Sequence, residues 1–154
     1  MSMNILHFDE LGLKQWHDII KLRVDVFVVE QECPYPEVDG LDPHCLHLWC
    51  PQESTGQLMA TLRIIPPEHH KGTLGLGRVV VSQEFRGTGL GVLIMKEAIS
   101  FMDEHHPGIK QELHAQDYLE HFYQKLGFKT VGQAYDWDGI VHVPMERIPI
   151  SSDS

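Results

Sequence analysis

Gly77-Arg78-Val79-Val80-Val81-Ser82-Gln83-Glu84-Phe85-Arg86-Gly87-Thr88-Gly89-Leu90-Gly91 reads as a β-branched strand, a short polar turn, a glycine-rich loop with one arginine, and the first turn of an amphipathic helix. The N–H groups that open a helix have no partner inside it, and the helix dipole places positive charge there, so this end attracts anions. Gly87, Gly89 and Gly91 remove Cβ atoms that would hold a ligand off the backbone. Arg86, Gly87, Thr88, Gly89, Leu90 and Gly91 together describe a cradle for a pyrophosphate. Two other phosphate loops do not fit. A P-loop closes on Lys-Ser or Lys-Thr, and no lysine lies between Lys71 and Lys96. A dinucleotide fingerprint spaces its glycines G-x-G-x-x-G, whereas residues 87–92 give G-x-G-x-G-V.

Working outward, a strand over residues 74–81 leads into the loop, and Leu90, Ile94, Ala98 and Phe101 mark the buried stripe of the next helix, stopped by Pro107-Gly108. Upstream, residues 4–8 form a short strand, and Leu13, Trp16, Ile20, Val24 and Phe27 line one face of a long helix. A polar connection follows, and strands at 45–49 and 57–65 flank the hairpin signal Pro51-Gln52-Glu53-Ser54-Thr55-Gly56. Downstream, a strand at 110–115 precedes a third helix, and strands at 129–133 and 140–148 complete the pattern. Asp117 and Glu120 have the spacing of a capping box, and Gly127 is the C-terminal stop. Leu119, Phe122, Tyr123 and Leu126 share the inner face of that helix, while Glu120, His121, Gln124 and Lys125 face solvent. The β-α-β-β-β-α-β-α-β-β order predicts an α/β fold with a mixed sheet and a parallel crossover in its second half. Residues 1–150 are expected to be one domain and 151–154 a frayed tail.

The formal charge of −10 excludes nucleic acid as a partner, argues against anionic membranes, and suits a cationic small molecule. No apolar run approaches the roughly 20 residues that span a bilayer. Met1-Ser2-Met3-Asn4 has neither the charged nor the apolar region of a signal peptide. Cys33, Cys45 and Cys50 are odd in number and widely spaced, which suits free thiols in a reducing cytoplasm. There are 11 histidines but no C-x-x-C or H-x-x-x-H spacing, so no metal is expected.

The remaining spacing, Arg86-x-x-Gly89-x-Gly91, resembles the acyl-CoA loop (Gln/Arg)-x-x-Gly-x-(Gly/Ala) of the GCN5-related N-acetyltransferase (GNAT) superfamily. Phe122-Tyr123-Gln124-Lys125-Leu126-Gly127-Phe128 is similar to that superfamily's F-Y-x-x-x-G-F segment, in the same order along the chain. Residues 23–35, then Glu37, Asp39, Asp42 and His47-Leu48, resemble the N-terminal block of ElaA-like acetyltransferases. Leu113-His114-Ala115-Gln116, Tyr118 and Asp138-Gly139-Ile140-Val141-His142 also resemble that subgroup, with Val141 where proline is expected. The resemblance implies a mostly antiparallel mixed sheet with a V-shaped splay, flanked by helices. It also implies an acetyl-CoA-dependent N-acetyltransferase acting by direct attack in a ternary complex. By resemblance, Val79 and Val81 pair with the pantetheine arm, Val79 or Val80 N–H receives the oxyanion, loop 86–91 holds the pyrophosphate, Gln116 touches the cofactor, and Tyr123 is the general acid.

An alkylamine of pKa near 10.4 is only about one part in 10³ to 10⁴ neutral at pH 7, so a base helps. His114, beside the expected slot, and Glu30 or Glu32, at the end of the first helix, are the candidates. The acidic connection holding Glu30, Glu32, Glu37, Asp39 and Asp42 reads as a recognition surface for a cationic small-molecule or peptide amine, with His142 in the same cleft. No cysteine lies near either motif, so a covalent acyl-cysteine is not expected. The strand at 140–148 leaves room for a homodimer. Two other readings stay open: a non-catalytic acyl-CoA sensor, and an acyltransferase similar to acyl-homoserine-lactone synthases.

Overall fold

The computed structural model describes residues 2–149, so the tail expected at 151–154 lies outside the described residues. The elements run β1 (Asn4–His7), α1 (Leu13–Arg23), β2 (Leu46–Pro51), β3 (Leu58–Ile65), β4 (Leu74–Val81), α2 (Leu90–His105), β5 (Gln111–Gln116), α3 (Glu120–Gln124), β6 (Lys129–Thr130), β7 (Tyr135–Trp137) and β8 (Ile140–Arg147). The strands form one open mixed sheet in the order β1-β2-β3-β4-β5-β8-β6, with β7 also paired to β8. Every pairing is antiparallel except β4 with β5.

All eight residues of β3 are buried, because helices cover both its faces. Ala60, Leu62 and Ile64 join Leu90, Ile94, Met95, Ala98 and Met102 of α2 and Tyr123 and Phe128 in the main core. Side chains alternate along a strand, so Arg63 points to the opposite face, beneath α1. There it meets Asp39 and Asp42.

The α1 face departs from its expected stripe. Leu13 is 92% exposed and Trp16, Ile20, Val24 and Phe27 are half-buried, whereas Ile19, Arg23 and Val26 are buried. An arginine takes the inner line because Glu37 and Asp42 meet its guanidinium at 2.6 and 2.8 Å. Past Arg23 the helix widens into a π-helical segment, Val24–Glu30.

Two further differences are local. No side chain caps α3; a 3-10 turn, Asp117–Leu119, leads into it, and Glu120 instead accepts a hydrogen bond from Thr130. The strand expected at 129–133 keeps only Lys129–Thr130, and an unexpected strand, β7, pairs with β8 across Asp138-Gly139. Both turn residues have positive φ, 53° and 82°, which is the geometry of a type I′ hairpin.

Candidate active site

β4 and β5 pair only through Leu74–Gln111 and Gly75–Glu112. Beyond those pairs they part, and the gap becomes a cleft of about 540 Å³ lined by residues 75–81 of β4 and 112–116 of β5. This is the expected splay. A β-bulge shapes its β4 wall: Thr61 pairs with Val80 and Arg63 with Gly77, so Leu62 alone faces Arg78 and Val79. Arg78 takes φ +52°, a left-handed conformation that non-glycine residues rarely adopt. A bulge leaves one residue out of the ladder, freeing backbone N–H groups from β3. Arg78 is fastened there by Glu37, whose Oε2 accepts from Arg78 Nε at 2.8 Å.

At one end of the cleft, Gly87 and Gly89 have φ +79° and +80°, and Gly89 opens α2 with no side chain capping the helix. The first-turn N–H groups are thus left for a ligand. Gly91, in the first turn of α2, lines the cleft, and a Cβ there would sit at an ordinary contact distance of 3.6 Å from Phe122. Thr88 donates its hydroxyl to the Phe85 carbonyl, 2.7 Å, tightening the loop. Arg86 lines the cleft, but both its terminal nitrogens donate to Glu30, at 2.8 and 2.9 Å. The Arg86 hydrogen bond holds the Glu30 carboxyl below its ordinary range, so Glu30 is a weak base while the pair stands.

Further in, Tyr123 is buried and lines the cleft, and its hydroxyl makes no hydrogen bond among the described residues. Burial pushes its pKa well up, so it stays protonated and can donate. Gln116 exchanges amide hydrogen bonds with Gln31 across the cleft, at 3.3 and 3.2 Å. His114 Nδ1 lies 2.6 Å from the Tyr135 hydroxyl, and burial lowers its pKa, favouring the neutral ring. His142 sits opposite Gln116 in the β5–β8 register, and its ring packs against Tyr135 and Trp137.

Val79, Val80, Val81, Arg86, Gly91, Gln116, Tyr123, His114, Glu30 and His142 therefore line one cleft. Seven residues expected with them do not: Gly87, Thr88, Gly89 and Leu90 lie at its end, between Arg86 and Gly91, and three others stand apart from it. Glu32 is exposed, at φ +51°, away from the cleft lining. Asp42 is 1% exposed and spent on Arg23 and Arg63, and Asp39 is paired with Arg63 at 2.6 Å. Neither aspartate lines the cleft, so the acidic connection clamps the fold instead of presenting charge to a substrate. Cys33, by contrast, does reach the cleft wall; its thiol donates to the Asp138 carbonyl at 3.1 Å. That contact spans 105 positions and leaves no trace in local spacing.

A family model described as Acetyltransferase (GNAT) domain matches residues 51–148. The chain belongs to the GNAT acetyltransferase family. Within it, the chain is 37% identical to Protein ElaA of Escherichia coli over 147 residues, covering 92% of this chain and 93% of that protein. It is 40% identical to UPF0039 protein C11D3.02c of Schizosaccharomyces pombe over 140 residues, covering 90% and 91%. Among solved structures, an acyl-CoA N-acyltransferase from Pseudomonas aeruginosa superposes with a TM-score of 0.90 at 38% identity, covering 96% of this chain and 99% of that one. Escherichia coli ElaA superposes at 0.88 with 34% identity, covering 95% and 98%. The GNAT fold expected from the two motifs and the ElaA-like grouping expected from residues 23–48, 113–118 and 138–142 are both present, and the protein is an acyltransferase.

Proposed function

We propose that the protein moves the acetyl group of acetyl-CoA to a primary amine by direct attack in a ternary complex. The supporting observation is the continuity of one cleft from Arg86 and the uncapped start of α2 to the Tyr123 hydroxyl. Loop 86–91 holds the pyrophosphate, the backbone of Val79 and Val81 pairs with the pantetheine arm, and Gln116 flanks it. An N–H of the bulge, Val79 or Val80, receives the oxyanion, where a fixed donor is worth about 3–4 kcal/mol. Tyr123 donates to the departing sulfur. The amine enters from the side of His114, His142 and Trp137, where Glu112 and Asp138 supply the negative charge that a cationic acceptor needs.

The test is a thermal-shift titration with acetyl-CoA, followed by thiol release over a panel of amines. At about 100 times its dissociation constant the ligand should stabilise the fold by about 2.7 kcal/mol. Failure to shift the melting point removes the reading. A shift with no thiol release from any amine would favour a binding module.

The Glu30–Arg86 pair yields a second expectation. Glu30 occupies the guanidinium that the pyrophosphate needs, so Glu30→Gln should tighten acetyl-CoA binding. The pair is over a third exposed on both sides, which limits the gain to about two- to five-fold in Kd. Calorimetric titration reads the change directly, and weaker binding would show that Glu30 orients Arg86 instead of competing for it.

A further inference from the structure

We infer that His142 is the general base for the acceptor amine, an assignment that rests on the acyl-transfer reading above. Its Nδ1 lies 2.8 Å from the carbonyl oxygen of Ile140. A carbonyl only accepts, so Nδ1 carries the hydrogen and the neutral ring keeps its lone pair on Nε2. The backbone thereby fixes the tautomer, which is the usual way a catalytic imidazole is prepared.

The other candidates are less well prepared. Both Glu30 oxygens are engaged by Arg86, and Glu32 is outside the cleft lining. His114 Nδ1 faces the Tyr135 hydroxyl, which both donates and accepts, so either tautomer satisfies that contact. His142 lies on the same sheet face as His114, because it is opposite Gln116 and side chains alternate. Its ring centroid is 5.3 Å from that of Trp137 and 6.1 Å from that of Tyr135. These rings can seat the carbon body of an amine beside Nε2.

The titratable and charged groups around it are Tyr135, Asp136 and Asp138 from β7 and its turn, His114 and Glu112 from β5, Tyr118 ahead of α3, and Cys33 and Glu30 from the opposite wall, with Arg86 holding Glu30. As the amine nitrogen bonds to the thioester carbonyl carbon, the carbonyl π pair moves to oxygen and one N–H proton passes to Nε2. The oxygen pair then re-forms the carbonyl as the C–S bond breaks, and sulfur leaves with its bonding pair. Nε2 returns its proton to solvent, so a free amine and a thioester give an amide, a thiolate and one proton.

His142→Asn is the informative variant, since its side-chain amide can still donate to Ile140 but cannot take a proton. Ethylamine, benzylamine and spermidine are screened with acetyl-CoA by thiol release, and the best of them is carried through the pH series. Kcat/KM should fall by about 10²- to 10⁴-fold and keep only the rise with pH that the amine's own ionisation imposes, while the acetyl-CoA thermal shift stays as in the wild type. Added imidazole should restore part of the activity of His142→Ala. Wild-type kcat/KM in His142→Asn overturns the assignment, as does a loss of that size in His114→Asn alone. Joint loss of activity and of the thermal shift would make His142 structural. A wild-type protein that binds acetyl-CoA yet acylates none of the amines fails at the earlier step, and the acyl-transfer reading goes with it.

Discussion

Tyr123→Phe should lower kcat by about 10²- to 10⁴-fold while leaving acetyl-CoA affinity and the fold nearly unchanged. The ring is held by packing: it lies 5.0 Å from Phe122 and 6.2 Å from Phe128, centroid to centroid, and phenylalanine keeps those contacts. The hydroxyl has no protein partner among the described residues, so its removal orphans no buried group and costs no more than about 1 kcal/mol. What is lost, in the proposed mechanism, is a donor to the departing sulfur. An ordinary phenol is a weaker acid than an ordinary thiol, so full proton transfer is uphill by about 2 kcal/mol, and burial of Tyr123 disfavours the phenolate further. In the proposed mechanism Tyr123 therefore donates a hydrogen bond to the developing thiolate, with solvent supplying the final proton. Because burial keeps the phenol protonated at any workable pH, the variant should be slow at every pH without a change in profile shape. Equal losses in kcat and acetyl-CoA affinity, measured by stopped assays and calorimetry, would mark a structural tyrosine instead.

That tyrosine was legible in the sequence because its signals are local. The inner stripe of α3, the glycine stop at 127 and the loop at 86–91 each depend on residues within one or two helical turns. β4 and the start of α2 fall where the β-branched run and the glycines put them. β7 was not read from the sequence, although Asp138-Gly139 between its two strands is a hairpin signal that could have found it. The same holds for neither Arg23 nor Cys33. A charged residue on a helix reads as solvent-facing, and only partners 14 and 19 positions away make Arg23 a core residue. The acidic connection misled for the same reason: it contains no basic residue, yet Arg23, Arg63 and Arg78 reach it from α1, β3 and β4. A run of charge in sequence says nothing about the charge that other elements bring to it.

That clamp carries the other large expected effect. Asp42→Asn should cost about 3–5 kcal/mol, a large part of the roughly 5–15 kcal/mol that holds an ordinary domain together. Asp42 is 1% exposed and accepts from Arg23 at 2.8 Å and from Arg63 at 3.0 Å, so the variant leaves two buried guanidinium groups short of charge. Acid should act in the same direction. Burial by itself would raise the Asp42 pKa, but the hydrogen bonds and charges of Arg23 and Arg63 outweigh it and hold the carboxyl below its ordinary range. Asp39 is depressed likewise, with Arg63 outweighing burial. Groups so depressed stabilise the fold above the unfolded carboxylate pKa of about 3.9, and that contribution is lost as pH falls through the folded values. His47, buried against the Asp42 carbonyl, is also depressed, by burial first, so the unfolded chain takes its proton earlier. Stability should therefore begin to fall below about pH 6.5 and drop steeply only in the carboxylate range. Urea unfolding of wild type and Asp42→Asn from pH 8 to pH 3 tests both parts. The gap between the two should stay constant down to the unfolded carboxylate range and narrow only below about pH 3.9, as acid removes the charge that the mutation already lacks. Parallel curves at all pH values would mean that Asp42 contributes shape and hydrogen bonding alone. Since Glu37 Oε2 accepts from both Arg23 and Arg78, at 2.6 and 2.8 Å, the same clamp fixes the bulge that opens the cleft. The folded fraction of Asp42→Asn should accordingly lose kcat more than acetyl-CoA affinity, because loop 86–91 stands apart from the clamp while the bulge N–H groups depend on it.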